Sequence, residues 1–392
     1  MVWFIVFVDS LARLFSRVKD DLGSLLVSRS ERSLDDYVEI MGKSYPVNNE
    51  IIRYPDILNE IRYSIAYLDS SSRSIGFNIA RLVITALAIY INGTIRSIPS
   101  PANMPEDTPP FIAVKSSENL LRKIESHKYI AVKNVVGTYY DLDYKDDNIA
   151  DELRMSLENY GLRLLSHEEI DVVVIDGPIY QTPQIMLRAP NNTYGRTFLK
   201  LVTERVNVVE GIDKPVIGFV KRVEYSRKLA RCDEIREIIK RRLRREVGTD
   251  VADPLIVEYI LEDIVRPPLM KLVIIGPLTL RYEVSNKDIS KILREKVYWY
   301  IGRKTLTGYQ IARIEVLRKH WDKHRNIIED MIKHLVSTLS MRAVPLGIEV
   351  VDRASRKLTA LIYIAIYQKL SNTLSLSYDE YSRVSEVYRE LG

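Results

Sequence analysis

Two stretches of the sequence each carry an apolar run to an aspartate. Ile65-Ala66-Tyr67-Leu68 leads to Asp69, and Val172-Val173-Val174-Ile175 leads to Asp176. Small hydroxyl residues (Ser70, Ser71, Ser72) follow the first, and Gly177-Pro178 stops the second. Buried strands that end on carboxylates can hold a hard divalent ion such as Mn²⁺ or Mg²⁺, which prefers oxygen donors. Two such ions about 3.5–4 Å apart are one device for phosphodiester hydrolysis. A buried acid without a partner is costly, so a cation is a sensible companion. Taken singly, either aspartate reads better as the cap of a turn or a helix; the two together, with the basic segment from Lys221 to Arg245, point to a metal.

Further carboxylates are candidates for the same centre. Glu158 lies on a helix read from about Ile149 to Tyr160 and closed by Gly161. That helix comes directly before the Asp176 strand and can pack beside it. An ordinary surface pair with Arg154, one turn earlier, is the alternative. Glu152 is a weaker substitute. Asp352 would lie on a final helix that starts after Pro345 and runs to about Leu370, with Glu349 three residues earlier. An exposed acid near a helix start is the alternative for both. Lys221 ends the apolar run Val216-Ile217-Gly218-Phe219-Val220, where a cation can hold a phosphate or damp carboxylate repulsion. His320 and His324 have i,i+4 spacing, but no HExxH pattern accompanies them. The cations around them, from Arg318 to Arg325, read instead as a basic helix touching phosphates. No GxxxxGK[ST] loop, dinucleotide-binding glycine loop or nucleophilic serine motif is present.

The elements that must position these groups follow in order. Residues 1–62 read as a peripheral helical region, with one helix through Leu11, Leu14, Phe15 and Val18 and a second from Ser33 to Met41. Residues 63–96 read as three short strands: one ending at Asp69, one from Ile75 to Ile79, and one from Leu82 to Ile91 closed by Asn92-Gly93. Five prolines mark 97–112 as a loop. Residues 115–165 read as mostly helical. A basic helical insertion spans about 222–265. Lys271–Ile275 and Leu278–Val284 read as a strand pair turned at Gly276-Pro277, and helices fill 286–340. Residues 372–392 form a tail. The fold class is α/β: a ribonuclease H-like mixed-sheet core over 63–371, with a helical N-terminal region and helical insertions.

Composition narrows the setting. The chain has 392 residues, 46% hydrophobic and 28% charged, which is ordinary for a globular protein. A single cysteine, Cys232, excludes an internal disulfide and a cysteine-based metal site, and a cytoplasmic setting is expected. The apolar run Val2–Val8 ends at Asp9 and is too short to span a bilayer, so no membrane partner is expected. Net charge is +5, but between Lys221 and Arg245 eleven Lys/Arg face four Asp/Glu. Lys221, Arg222, Arg241, Arg242, Arg244 and Arg245 are the expected backbone contacts to a nucleic acid, binding without reading sequence. A solvated, internally paired basic helix is the alternative.

The ordered set of motifs resembles the NurA family, archaeal nucleases that resect DNA ends. Asp69-Ser70-Ser71-Ser72-Arg73 is similar to the family's early Asp-Gly-Ser motif, and Val174-Ile175-Asp176-Gly177-Pro178 to its second Asp-Gly motif. Val216 to Lys221 is similar to its strand ending in lysine, and Pro345 to Arg356 to its late segment. The resemblance implies a Mn²⁺- or Mg²⁺-dependent DNA nuclease of the 5′-3′ exonuclease and single-strand endonuclease type. It implies end resection in double-strand break repair, a homodimer and a hexameric HerA-type translocase partner. Metal binding is carried onto Asp69, Glu158, Asp176 and Asp352, and a catalytic role onto Asp69, Glu158, Asp176 and Lys221. Three positions depart from the family: Ser70 replaces glycine, Val344 replaces tyrosine, and Asp352 stands where histidine is frequent. A non-cleaving DNA-binding or translocase-adaptor protein on the same fold is therefore the alternative, and an RNA-directed ribonuclease H-like enzyme a third reading.

Overall fold

The computed structural model describes residues 2–19, 42–48, 50–56, 62–100, 104–125, 127–182, 192–244, 246–377 and 380–391. The helix expected from Ser33 to Met41, and Arg245, lie outside the described residues.

One mixed sheet of 12 strands organises the chain. In sequence order these are β1 (Gly42–Pro46), β2 (Ile52–Arg53), β3 (Ile65–Gly76), β4 (Ala80–Ile91), β5 (Thr94–Ile98) and β6 (Ile112–Ser116). β7 (Ile130–Ala131), β8 (Val172–Asp176), β9 (Val216–Val220), β10 (Val273–Tyr282), β11 (Lys296–Thr305) and β12 (Gly308–Leu317) complete it. The spatial order is β1-β10-β11-β12-β9-β8-β3-β4-β6-β7, with β2 on β10 and β5 on β4. β3, β8 and β9 run parallel at the centre, and β4 and β6 continue antiparallel on one side. That segment, β6-β4-β3-β8-β9, is consistent with the ribonuclease H-like core expected from sequence. On its other side β12, β11 and β10 extend the sheet antiparallel.

β3 differs from its expected form. It does not stop at Asp69 but runs 12 residues to Gly76, because Ser70 to Ser74 pair in register with Leu87 to Val83 of β4. The ladder supplied by a long, buried and mostly apolar neighbour overrides the weak strand preference of serine. On the opposite edge, the β3–β8 register ends at Leu68 opposite Ile175. Asp69 and Asp176 are thus the next pair along two strands that have just parted.

The 286–340 region is the largest correction. Only Lys287–Ile292 and Arg318–Ser337 within it are helical, and the hairpin β11–β12 occupies the space between them. Gly276-Pro277 does not turn a hairpin; it is an irregularity inside the single strand β10. In the expected mostly helical 115–165 region, β6, a short helix at Glu118–Ile124 and β7 precede the long helix.

Two helices carry the site. α3 (Asp146–Ser166) covers one face of the sheet, and α9 (Leu346–Leu370) covers β3 and β4. (The helices are α1 Val2–Lys19, α2 Glu118–Ile124, α3, α4 Thr193–Gly211, α5 Asp233–Leu243, α6 Asp253–Tyr259, α7 Lys287–Ile292, α8 Arg318–Ser337, α9 and α10 Glu380–Leu391.) Gly161 does not end α3. It lies on the sheet, where a Cβ would stand 2.7 Å from the side chains of Leu68 and Leu87. α1 is not peripheral: Phe7, Leu11 and Phe15 are buried in the main core, and Asp9 meets Lys369 of α9 at 2.6 Å. The rest of the N-terminal region adds the strands β1 and β2. Among the described residues no helix is long and apolar enough to cross a membrane.

Candidate metal centre

Strand alternation decides which face each side chain of β3 reaches. Tyr67 packs with Val174, Phe219, Ile348 and Val351 in one core, whereas Leu68 packs with Ile175, Leu157 and Leu162 in another. Asp69 follows Tyr67 toward α9, and Ser70 follows Leu68 toward α3. The hydrogen bonds agree: the Ser355 hydroxyl of α9 donates to Asp69 Oδ2 at 3.1 Å, and the Ser70 hydroxyl donates to Glu158 of α3.

On the α9 face, one carboxylate oxygen from each of Asp69, Asp176 and Asp352 lies within 4.8 Å of the other two. Asp69 is only 3% exposed. α9 begins after Pro345 and is brought close by Gly347, where a Cβ would meet the Tyr67 ring at 2.4 Å. Ile348 and Val351 bury their side of the helix, so Asp352 and Ser355, one turn apart, meet the ends of β3 and β8. Three hard oxygen donors at this separation, held by two strands and a helix, fit a divalent cation.

The electrostatics agree with that fit. Burial, then the charge of Asp176, pushes the Asp69 carboxyl above its ordinary range, against the pull of Arg154. Burial likewise raises Asp176, against Lys221, whose Nζ lies 2.5 Å from Asp176 Oδ2. Asp352 is paired with Arg356 at 3.0 Å. Burial works against the Arg154 guanidinium, but Glu158, Asp69, Asp151 and Asp176 outweigh it and hold it above its ordinary value.

The triad opens into a cleft of about 730 Å³. Glu158 lines this cleft from the α3 side but stands outside the triad. One of its oxygens takes the Ser70 hydroxyl, and the other pairs with Arg205 of α4 at 2.7 Å. Glu349 also lines it, accepting from Ser340 at 2.7 Å. Glu152 points elsewhere: it is buried against Tyr144 and Tyr140, the latter at 2.9 Å, and burial pushes its carboxyl up to about 8.

The basic residues sort differently from expectation. Lys221 and Arg222 line the cleft, but Arg241, Arg242 and Arg244 do not; they are exposed on and just after α5, and Arg241 pairs with Glu237 at 3.6 Å. The cations that face the cleft come from elsewhere in the chain: Arg73, Arg154, Arg205, Arg342 and Arg356. On the helix from Arg318 the cations are partly or fully exposed, but Arg318, Lys323 and Arg325 are paired with the carboxylates of Asp322, Asp213 and Glu329. His320 is buried, accepts from the Val216 N–H at 3.2 Å and is pushed down to about 4 by burial, so it is a neutral core residue. Ser355 and Arg205 were missed from sequence. Ser355 stands three residues after Asp352, a helical spacing that could have flagged it; Arg205 carries no such signal.

Comparison with known proteins completes the picture. No curated protein sequence matches the chain significantly. The crystal structure of the NurA nuclease from Sulfolobus solfataricus aligns over 83% of this chain and 89% of that one, at 14% identity and a TM-score of 0.45. A crystal structure of NurA with manganese aligns over 81% and 91%, at 8% identity and a TM-score of 0.39. One of NurA bound to dAMP and manganese aligns over 77% and 85%, at 8% identity and a TM-score of 0.35. The sequence match is the decisive one: the NurA domain model covers residues 63–356, three quarters of the protein, and the chain belongs to the NurA domain family.

Proposed function

We propose that the protein is a metal-dependent DNA nuclease, a phosphodiester hydrolase whose cation is Mn²⁺ or Mg²⁺. The observation that carries this is the Asp69–Asp176–Asp352 cluster within 4.8 Å at the floor of a cation-lined cleft. Membership of the NurA domain family supports it.

Asp69, Asp176 and Asp352 would hold the cation, and Glu158 is the fourth carboxylate that a two-ion arrangement calls on. A divalent ion bound there supplies Lewis-acid stabilisation of charge on phosphate oxygens and makes water more acidic. Ser355 orients Asp69 by donating its hydroxyl proton. Lys221 pairs with Asp176 and would turn to a non-bridging phosphate oxygen when the backbone of a nucleic acid enters. Arg73, Arg222 and Arg342 along the cleft would meet further phosphates, so binding should weaken with salt. The 5′-3′ exonuclease and single-strand endonuclease mode, the end-resection role, a homodimer and a HerA-type translocase partner extend this reading through the family, as does a cytoplasmic location.

The test is degradation of end-labelled linear DNA in Mn²⁺, Mg²⁺ or EDTA by wild type, Asp69→Ala and Asp176→Ala. Cleavage that needs metal and is lost in both variants supports the reading. Absence of cleavage by wild type, with and without a HerA-type translocase, overturns it. One observation favours a second reading, a weakened nuclease acting as a DNA-binding adaptor: Ser70 and Arg205 occupy both oxygens of Glu158. Ser70→Gly then raises activity in Mn²⁺ if the hydroxyl is what holds Glu158 back, and leaves it unchanged if not.

A further inference from the structure

A buried cluster of charge lies beneath the segments that leave the site. Glu315 of β12, Lys296 of β11 and Arg313 of β12 are each at most 2% exposed. Glu315 Oε1 accepts from Lys296 Nζ at 2.8 Å and from the backbone N–H of Ile179 at 2.8 Å. Lys296 Nζ also donates to the Tyr180 carbonyl at 2.9 Å and stands 3.9 Å from the centre of its ring. Ile179 and Tyr180 follow Asp176 by three and four residues, so this ion pair grips the loop on which Asp176 ends. The cluster also reaches the segment after Lys221. Arg313 lies 3.2 Å from Glu315 and donates to the Ser226 hydroxyl at 2.8 Å. Nearby Asp253 accepts the backbone N–H groups of Lys228 and Leu229 at 3.0 and 2.7 Å, and the Tyr300 hydroxyl.

Glu315 is ionised in this setting. Burial opposes its charge, but Lys296, Arg313 and Lys228 outweigh burial and bring its carboxyl down to about 2. A buried ion pair adds little net stability by itself, since desolvation offsets the attraction. What it fixes is position, and here the positions fixed are the chain segments that follow both partners of the Asp176–Lys221 pair. Gly218 of β9 completes the fit: a Cβ there would meet the Gly177 carbonyl at 2.7 Å and the Ile179 nitrogen at 2.8 Å.

We propose that Glu315, with Lys296 and Arg313, is a positioning residue that holds the Asp176–Lys221 pair in the geometry required for cation binding. This rests on the reading of Asp69, Asp176 and Asp352 as a metal centre. A second buried carboxylate provides the control: Asp146 is held by Arg81 at 2.7 Å and Lys115 at 3.1 Å, and it does not line the cleft.

The experiment is Mn²⁺ titration of the full chain, read from the spin-resonance signal of free Mn²⁺, for wild type, Glu315→Gln and Asp146→Asn, with melting temperatures alongside. Glu315→Gln should bind Mn²⁺ about tenfold more weakly or worse, while Asp146→Asn stays within about twofold of wild type despite a comparable fall in melting temperature. If Glu315→Gln does not fold, Gly218→Ala pushes the same loop without altering any charge and should show the same loss. The inference is overturned if the folded Glu315 or Gly218 variants bind within about twofold of wild type, or if Asp146→Asn weakens binding equally. A wild type that binds no Mn²⁺ overturns the metal-centre reading, and the inference with it.

Discussion

Asp69 and Glu315 are both buried acids on one sheet, and the sheet treats them in opposite ways. Glu315 sits among Lys296, Arg313 and Lys228, which drive its carboxyl down to about 2. Asp69 faces Asp176 and Asp352, and burial with the charge of Asp176 drives its carboxyl up. In the first region cations outweigh burial at the acid; in the second Lys221 and Arg356 pair with Asp176 and Asp352, while at Asp69 burial and its acidic neighbours outweigh Arg154. The first describes a structural joint, and the second a place whose electrostatics improve when a divalent ion arrives.

The contrast can be broken first at the acid-rich end. Asp69→Ala and Asp176→Ala should lower DNA cleavage on the order of a thousandfold or more, as expected for groups that act in the transition state. Retention of cleavage would show that the two regions do not differ in kind. Next in size is Glu315→Gln, which strands Lys296 and Arg313 and should cost about 3–5 kcal/mol in urea denaturation. Asp69→Asn in EDTA should lose nothing and gain stability, because it removes repulsion.

Saturating Mn²⁺ should then stabilise wild type by about 2.7 kcal/mol at a free concentration of roughly one hundred times Kd, seen as a rise in the urea midpoint and lost in Asp69→Asn. The smallest effect is on pH dependence. The folded Asp69 carboxyl lies above its ordinary value of 3.8, so between the two values the folded protein binds more protons than the unfolded. Stability without metal should therefore fall as pH rises from about 4 upward through neutrality, and Asp69→Asn should flatten that slope. Denaturant melts at pH 5 and pH 8 in EDTA check it; an upward slope would remove the basis for calling this region acid-stressed.

How much of this could be read from sequence differs by element. Asp176 and Lys221 were legible because each closes a short apolar run stopped by its own local signals. The helix after Pro345 was legible for the same reason. β3 was not, because the strand character of Ser70–Ser74 comes from pairing with β4, not from the serines themselves. The β11–β12 hairpin was hidden by its buried charges. Lys296, Arg303, Arg313 and Glu315 are all buried, so they break the apolar alternation that marks a strand, and the stretch reads as an amphipathic helix. Proximity of Asp69 and Asp176 was expected from strand order, whereas Asp352, on a helix, was a candidate whose position strand order does not fix. The engagement of Glu158 by Ser70 and Arg205 was not visible, since it depends on partners 88 and 47 residues away.

α9 ties the far end of the molecule to the site by simple leverage. Asp352 sits near its start, and Lys369, seventeen residues on, is moored to Asp9 of α1 at 2.6 Å. At about 1.5 Å per residue the arm between them is about 26 Å. A rotation of about one degree around that mooring would swing Asp352 by roughly half an ångström, which is about the tolerance of a working constellation of ligands. The packing of α9 along β3 and β4 between those two points is what holds the aim of Asp352.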